Sequence, residues 1–318
     1  MSPREAADLR SSGVKPFILS GHGSYDPRLV IQAVSAIREM KADVIQTWLP
    51  QCDIIGAIGS LITSVPMILS ERSSAKAYPW GWRRALRQIA GHNARMIIAN
   101  SPSGLDLWRK HKSRCLIPNA LSDPLASTAK DIIAFPTMRP DAKIVICIGR
   151  LAKEKNVRQI ISAMPHVSEP KTQLLIVGNG PDRTELERLA ATHDCANKII
   201  FAGHQLDIHQ LLDRATLFVS ASLFEGHPNA VLEAAQAGTP LLLSDIPMHH
   251  DAVGAGACYF ALGDERSLAR QIDEVMANPY AAHERAEIAK TQVADLTINK
   301  ITDAYLKAYR AVCDPKEK

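Results

Sequence analysis

Lys143-Ile144-Val145-Ile146-Cys147-Ile148-Gly149-Arg150 and Leu174-Leu175-Ile176-Val177-Gly178-Asn179-Gly180-Pro181-Asp182 decide how this chain folds. Each is an unbroken apolar run that ends in glycine and passes into a helical pattern. Short runs rich in Val and Ile read as strands buried on both faces. Outward from these two, strand-like runs at 199–202, 217–220 and 240–244 alternate with helical periodicity over 156–167, 182–194, 207–214 and 229–238. Such β-α-β-α order predicts a parallel sheet covered by helices, with ligands at the carboxyl ends of the strands. A second alternating set precedes it. Residues 14–19, 44–45, 67–69, 96–99 and 115–117 read as strands, and 27–41, 52–63, 80–91 and 102–112 as helices.

Residues 118–142 hold Pro118, Pro124, Pro136 and Pro140 without sustained periodicity, which marks a domain boundary. The expected domains are an N-terminal one over 1–135, joined by a C-terminal helix over 296–318, and a second over 136–295. The length of 318 residues agrees, at roughly 150 residues per domain. Composition is globular, with 46% apolar and 22% charged residues, and this excludes wholesale disorder. The balance of 37 basic against 33 acidic residues, a net +4, is too mild to indicate a nucleic-acid partner. Six cysteines, never closer than 32 residues, give no metal-ligand spacing and read as reduced thiols. The first residues carry acids and no apolar segment of a secretory signal. The uncharged stretch 54–70 is diluted by glycine and broken by Pro66, so it reads as a core helix followed by a buried strand. The expectation is a soluble, cytoplasmic protein.

Three groups of residues carry chemistry. Gly178-Asn179-Gly180-Pro181 lies between a strand and a helix, where backbone can approach a ligand closely. A dinucleotide fingerprint would need glycine near 183 and an acid about 20 residues beyond the first glycine. Arg183 and Asn197-Lys198-Ile199 stand there, so a nucleotide-facing loop or a plain tight turn remains. Gly149-Arg150 ends one strand and Lys155 opens the next helix, a pairing suited to a diphosphate; either cation alone reads equally as a solvated charge. Glu225 and Glu233 bracket Gly226-His227-Pro228-Asn229, with Pro228 fitted to a first helical turn. Free backbone N–H groups at that turn would then face a ligand between two carboxylates able to accept paired sugar hydroxyls. The alternative is a capping acid and a solvated helical acid.

Read together, Gly149-Arg150-Leu151 with Lys155, Gly178-Asn179-Gly180-Pro181, Glu225 through Ala234, Ala237-Gly238-Thr239-Pro240 and Ser244-Asp245-Ile246-Pro247 resemble the family 4 glycosyltransferases. The spacing of Glu225 and Glu233 matches that family's E-x7-E motif. The likeness is dense over 141–262 and thinner over 14–121, where Asn100-Ser101 and Ile117-Pro118-Asn119 also match. It implies the GT-B fold, two Rossmann-like domains facing a cleft. It also implies metal-independent, retaining transfer from a nucleotide-diphosphate sugar to a saccharide or polyprenyl-diphosphate-linked acceptor, in surface polysaccharide synthesis. By the resemblance, Arg150, Lys155 and Glu225 are the catalytic set. Gly149, Gly178, Asn179, Gly180, Pro181, His204, Gly226, His227, Pro228, Asn229 and Glu233 would bind the donor. No metal or other cofactor is expected.

Two features depart from the pattern. Members of the family begin with a strand and a glycine-rich loop, whereas this chain starts near the following helix (5–10), and Gly21-His22-Gly23 comes one strand late. The N-terminal domain is thus expected to be shortened. Gln51 stands where many members have histidine, and glutamine cannot exchange a proton near neutral pH. A nucleotide-sugar-binding protein without turnover, and a sugar-nucleotide epimerase on the same fold, are the alternatives. On the acceptor side, residues 71–114 hold ten Lys/Arg against two acids. Trp82, Leu86 and Ile89 share one helical face, with Arg83, Arg84 and Arg87 largely off it. That reads either as a core-facing stripe with a solvated basic back, or as a contact for anionic lipid on the inner face of the plasma membrane or for the diphosphate of a lipid-linked acceptor.

Overall fold

A computed structural model describes residues 9–23, 26–72, 81–123 and 138–313. The middle of the expected linker, the start of the first helix, Trp80 and the charged tail lie outside them. The contact pattern divides the chain into two units. Unit 1 comprises Met1–Ala99, Gly104–Leu116 and Tyr305–Lys318; unit 2 comprises Asn100–Ser103 and Ile117–Ala304.

Unit 1 is built from α1 (Arg28–Glu39), β1 (Ile45–Thr47), α2 (Pro50–Thr63), β2 (Met67–Glu71), α3 (Trp82–His92), β3 (Met96–Ala99), α4 (Pro102–Asp106, entering from unit 2) and β4 (Arg114–Leu116). Its strands pair in parallel in the order β1-β2-β3-β4. Pro50 starts α2 at a position where a missing N–H costs nothing, and Ser64 in left-handed conformation ends it. Every residue of β2 is buried, so the uncharged stretch is a helix and a buried strand.

Three expectations fail in this unit. Residues 14–19 form no strand; Ile18 is 72% exposed, and no ladder partner meets this segment among the described residues. The helix over 102–112 stops at Asp106. Beyond it Trp108, Arg109 and His111 donate to carbonyls three residues back, a tighter winding that turns the Trp108 indole into the core. Helix α3 is rotated relative to the core-facing reading. Trp82, Leu86 and Ile89 are exposed, while Arg87, Ala90 and Gly91 face inward. Gly91 is required there, because a Cβ would stand 2.1 Å from the Trp108 ring.

Arg87 is therefore no surface cation. Its Nε donates to Asp53 Oδ2 and its Nη1 to Glu71 Oε2, both at 2.6 Å, and both acids are fully buried. Thr47 donates to Asp53, and the Trp108 indole N–H donates to Glu71 at 3.0 Å. Burial opposes the guanidinium charge, yet Glu71 and Asp53 outweigh it and hold the Arg87 pKa above its ordinary value.

Unit 2 runs through β5 (Lys143–Ile148), α5 (Val157–Ala163), β6 (Thr172–Val177), α6 (Arg183–Ala191), β7 (Ile199–Gly203), α7 (His209–Arg214) and β8 (Leu217–Ser220). It continues with α8 (Asn229–Ala237), β9 (Leu241–Ser244), α9 (Pro247–Val253), β10 (Cys258–Phe260), α10 (Glu265–Ala277) and α11 (Pro279–Val293). The final helix, α12 (Ile298–Cys313), begins in unit 2 and ends in unit 1. In unit 1 the Tyr309 hydroxyl donates to Gln46 and Arg72 to the Tyr305 hydroxyl.

The strands of unit 2 pair in parallel in the order β10-β9-β8-β5-β6-β7. Counted from β5, this is the doubly wound Rossmann order, which reverses where β5 pairs with both β6 and β8. Alternate residues feed two cores. Val145, Cys147, Leu174 and Ile176 pack on one face, and Ile144, Ile146, Leu175 and Val177 on the other. That is why both runs are apolar throughout, each fully buried side chain contributing about 1.5–3 kcal/mol. The three-residue β10 is too short to stand out as an apolar run. All six cysteines are thiols, and burial pushes the Cys147 thiol up to about 12.

Candidate functional site

The loops that follow β5 and β6 are bonded to each other, backbone to backbone. Gly149 N–H donates to Val177 O, Leu151 N–H to Asn179 O, and Asp182 N–H back to Leu151 O. This contact explains the glycines. A Cβ on Gly178 would lie 2.0 Å from the Gly149 oxygen, and one on Gly180 2.1 Å from that of Leu151. Gly178 also has φ +131°, a region that favours glycine. Gly180 therefore serves the packing of two loops, while Pro181 beside it is exposed. The side chain of Asn179 is held by Arg183, the residue that stands where a third glycine would be.

After β5 the chain makes one tight turn over Lys153–Lys155, closed by Lys155 N–H to Ala152 O at 2.9 Å. Asn156, in left-handed conformation, then redirects it into α5, a geometry asparagine tolerates well. The turn brings Lys155 over the end of β5 toward the loop after β8. There Lys155 Nζ lies 2.6 Å from Glu225 Oε1, which also accepts from Ser222 Oγ at 2.7 Å. Leu223 N–H donates to Glu154 O at 2.8 Å and ties the two loops together. Lys155 and Glu225 thus meet across the point where strand order reverses, in a small hollow lined also by Gly149 and Pro228. Arg150 does not join them. Its side chain is 67% exposed and pairs with Glu154.

Beside this hollow, and sharing Ile148 and Gly149 with it, opens a cleft of about 600 Å3. Arg150, Gly178, Asn179, His204 and Glu233 line it. Burial pushes the Glu233 carboxyl up to about 7, so its protonation changes within the neutral range. His204 follows Gly203, whose carbonyl accepts from Gly178 N–H at 2.7 Å.

Helix α8 opens at Asn229, with Pro228 capping it. Its first-turn N–H groups are less available than the sequence suggests, because Asn229 donates to His227 O and Val231 to Pro228 O. Asn229 accepts from Asn119 at 2.7 Å and lies 3.4 Å from His227 Nδ1. Gly226 is partly buried in the same loop. Gln51 sits in the first turn of α2, in unit 1.

Some residues around the cleft carry no sequence signal. Ser122 forms part of its wall and lies in the linker, which has no periodicity. It is fixed there by Gln236, which donates to its carbonyl at 3.1 Å, and by the bridge between Leu121 and Thr297. Gln205, Leu206, Ile208 and His209 complete the wall, on the loop and helix after β7. His249 also goes unmarked, two residues beyond the Ser244–Pro247 motif, and is fully buried.

The reversed strand order, the loops bearing Lys155 and Glu225, and Glu233 on helix α8 define unit 2 as a Rossmann-like domain with its crevice at the switch point. The family Glycosyl transferases group 1 matches residues 129–292, and the chain belongs to that family. Among curated proteins it is 30% identical over 170 residues to the lipopolysaccharide core biosynthesis glycosyltransferase LpsE of Rhizobium meliloti, covering 52% of this chain and 49% of that one. The chain thus spans about half the length of that relative. A Campylobacter jejuni alpha-1,4-N-acetyl-D-galactosaminyltransferase, named for a diNAcBac-PP-undecaprenol-linked acceptor, is 25% identical over 86% of this chain and 76% of its own. Among solved structures, Anabaena Alr3699/HepE in complex with UDP and glucose aligns with a TM-score of 0.84 at 17% identity. That alignment covers 97% of this chain and 89% of that one. The fold is α/β with parallel sheets, like that of GT-B glycosyltransferases with two Rossmann-like domains.

Proposed function

We propose that this chain is a retaining, metal-independent glycosyltransferase of family 4, moving a sugar from a nucleoside-diphosphate donor to a hydroxyl acceptor in surface polysaccharide synthesis. The observation that carries this reading is the Lys155–Glu225 pair at the switch point, with Glu233 eight positions on in the adjoining cleft. In transfer, the bond between the sugar carbon and the diphosphate oxygen breaks, the acceptor oxygen takes its place, and the acceptor's proton passes to the departing diphosphate. Negative charge then gathers on the departing diphosphate, where a preorganised cation is most effective. Lys155 supplies that cation beside the end of β5. Arg150, on the rim, can swing from Glu154 to the same diphosphate. Glu225, freed from part of its pairing as Lys155 turns to phosphate, accepts from the transferred sugar. Glu233 accepts the ribose hydroxyls, and the loop after Gly203, with His204, borders the base.

Relatives support the reading. The Anabaena structures hold UDP with glucose and UDP-glucose, and the relatives from Rhizobium and Campylobacter are named for lipopolysaccharide core and undecaprenol-linked glycan synthesis. The acceptor is proposed to be a saccharide or a polyprenyl-diphosphate-linked one. No helix among the described residues is long and apolar enough to cross a membrane. Contact with an anionic lipid surface is proposed through α3, where Trp82, Leu86 and Ile89 are exposed and Arg83 and Arg84 stand on the same helix. Incubation with a panel of UDP-, GDP- and ADP-sugars, with the product's anomeric configuration read by NMR, tests the reaction. Retention and insensitivity to a chelator are expected. Inversion, or loss of turnover with the chelator, contradicts the mechanism.

A further inference from the structure

Helix α9 carries a histidine whose surroundings are unlike those of an ordinary core side chain. His249 is fully buried, with Nδ1 2.8 Å from the Ser244 carbonyl oxygen and 3.3 Å from Ser244 Oγ. A carbonyl only accepts, so Nδ1 carries the proton and donates. Burial lowers the imidazole pKa, leaving the ring neutral and Nε2 a bare acceptor. That Nε2 is buried and meets no hydrogen-bond partner among the described residues. A buried polar atom left so is costly, and its retention calls for a role.

The bonds beyond His249 lead to the site. Ser244 Oγ donates to Ser222 O at 2.7 Å, Ser222 Oγ donates to Glu225 Oε1 at 2.7 Å, and Glu225 holds Lys155 at 2.6 Å. The directions of these bonds agree with one another. The loop bearing Glu225 is thereby clamped from below through Ser222, whose carbonyl and hydroxyl are both used. The charges of Glu225 and Lys155 also act on the imidazole.

We infer that His249 is a positioning residue for the Lys155–Glu225 pair, acting from α9 through Ser244 and Ser222, with its Nε2 bound to an internal water. The inference rests on the transferase reading for its kinetic test and on the hydrogen bonds alone for its physical one. Asparagine at 249 can replace the Nδ1–H donor toward Ser244. Glutamine reaches toward the Nε2 side instead, and leucine offers neither. With an NDP-sugar that the native protein turns over, His249→Leu and His249→Gln are expected to lower kcat roughly tenfold to a hundredfold, the cost of a small misplacement of a reacting group. KM for the donor stays near native, and His249→Asn recovers most of kcat. Equal losses in all three variants, or native kcat in His249→Leu, overturn the proposal.

The second measurement needs no activity. Melting temperatures of His249→Leu, Ser222→Ala and the double variant are compared. Residues of one hydrogen-bonded unit give a double loss smaller than the sum of the singles. Additive losses overturn the proposal. A native protein that turns over no NDP-sugar counts against the transferase reading, while this comparison still decides the role of His249.

Discussion

At the scale of single residues, the two glutamates have different surroundings, and Glu233 makes stability and binding depend on pH. Glu225 sits against the Lys155 ammonium, whereas partial burial pushes the Glu233 carboxyl up to about 7 from its ordinary 4.5. A raised carboxyl pKa means that the folded state holds the proton more tightly than the unfolded one. Its contribution to stability is therefore full below about pH 4.5 and is lost as pH rises through about 7. Urea titrations should show that fall, and Glu233→Gln should flatten it. Ribose hydroxyls donating to Glu233 favour its ionised form, so donor affinity should rise between about pH 6 and about pH 8. An NDP-sugar suits this measurement, because its diphosphate does not titrate there. Affinity that stays flat across that range would place the ribose elsewhere. Gly180→Ala tests the loop packing. Its new methyl meets the Leu151 carbonyl at 2.1 Å, and a loss of about 1–3 kcal/mol is expected in thermal or urea unfolding.

At the scale of elements, α3 separates two kinds of arginine. Removing Arg87 leaves Asp53 and Glu71 buried without their cation, and Arg87→Met should cost about 3–5 kcal/mol in urea unfolding. Arg83→Ala with Arg84→Ala should cost less than Arg87→Met, because Arg83 is exposed and Arg84 only half-buried. The same pair should reduce sedimentation with anionic liposomes, and undiminished sedimentation would remove α3 as the lipid contact. The burial of Arg87 had a trace in the sequence. Asp53 and Glu71 are the two acids that bound the uncharged stretch 54–70, an amphipathic helix followed by a buried strand, and both are themselves buried and need a cation. Helical periodicity could not reveal this, since it counts Arg87 as polar and Trp82 as apolar. Strand 14–19 was misread for a related reason. Apolar residues make a strand only where a neighbour supplies the ladder, and none of the described residues does. The buried strands β5, β6 and β8 were legible because both faces are covered, so their central positions form continuous apolar runs.

At the scale of the whole molecule, the sequence motifs located the loops around the crevice, and three-dimensional contact divided their labour. Gly178 and Gly180 read as ligand-facing glycines, but their first service is to let the β5 and β6 loops touch. Arg150 and Lys155 read as one cationic pair, yet each is held by a different carboxylate, Glu154 and Glu225. Ser122 and His249 were illegible because their positions depend on contacts with residues 87 and five positions away, on His209 and Ser244. The central claim is that Lys155, at the switch point, binds the donor diphosphate. It is tested most directly by calorimetry of the UDP-, GDP- and ADP-sugar panel against the native protein and Lys155→Ala. At least one donor should bind the native protein, and Lys155→Ala should weaken it about tenfold to a hundredfold, the worth of a charge-assisted hydrogen bond. Binding of equal strength in the variant, or no binding of any donor to the native protein, would contradict the claim.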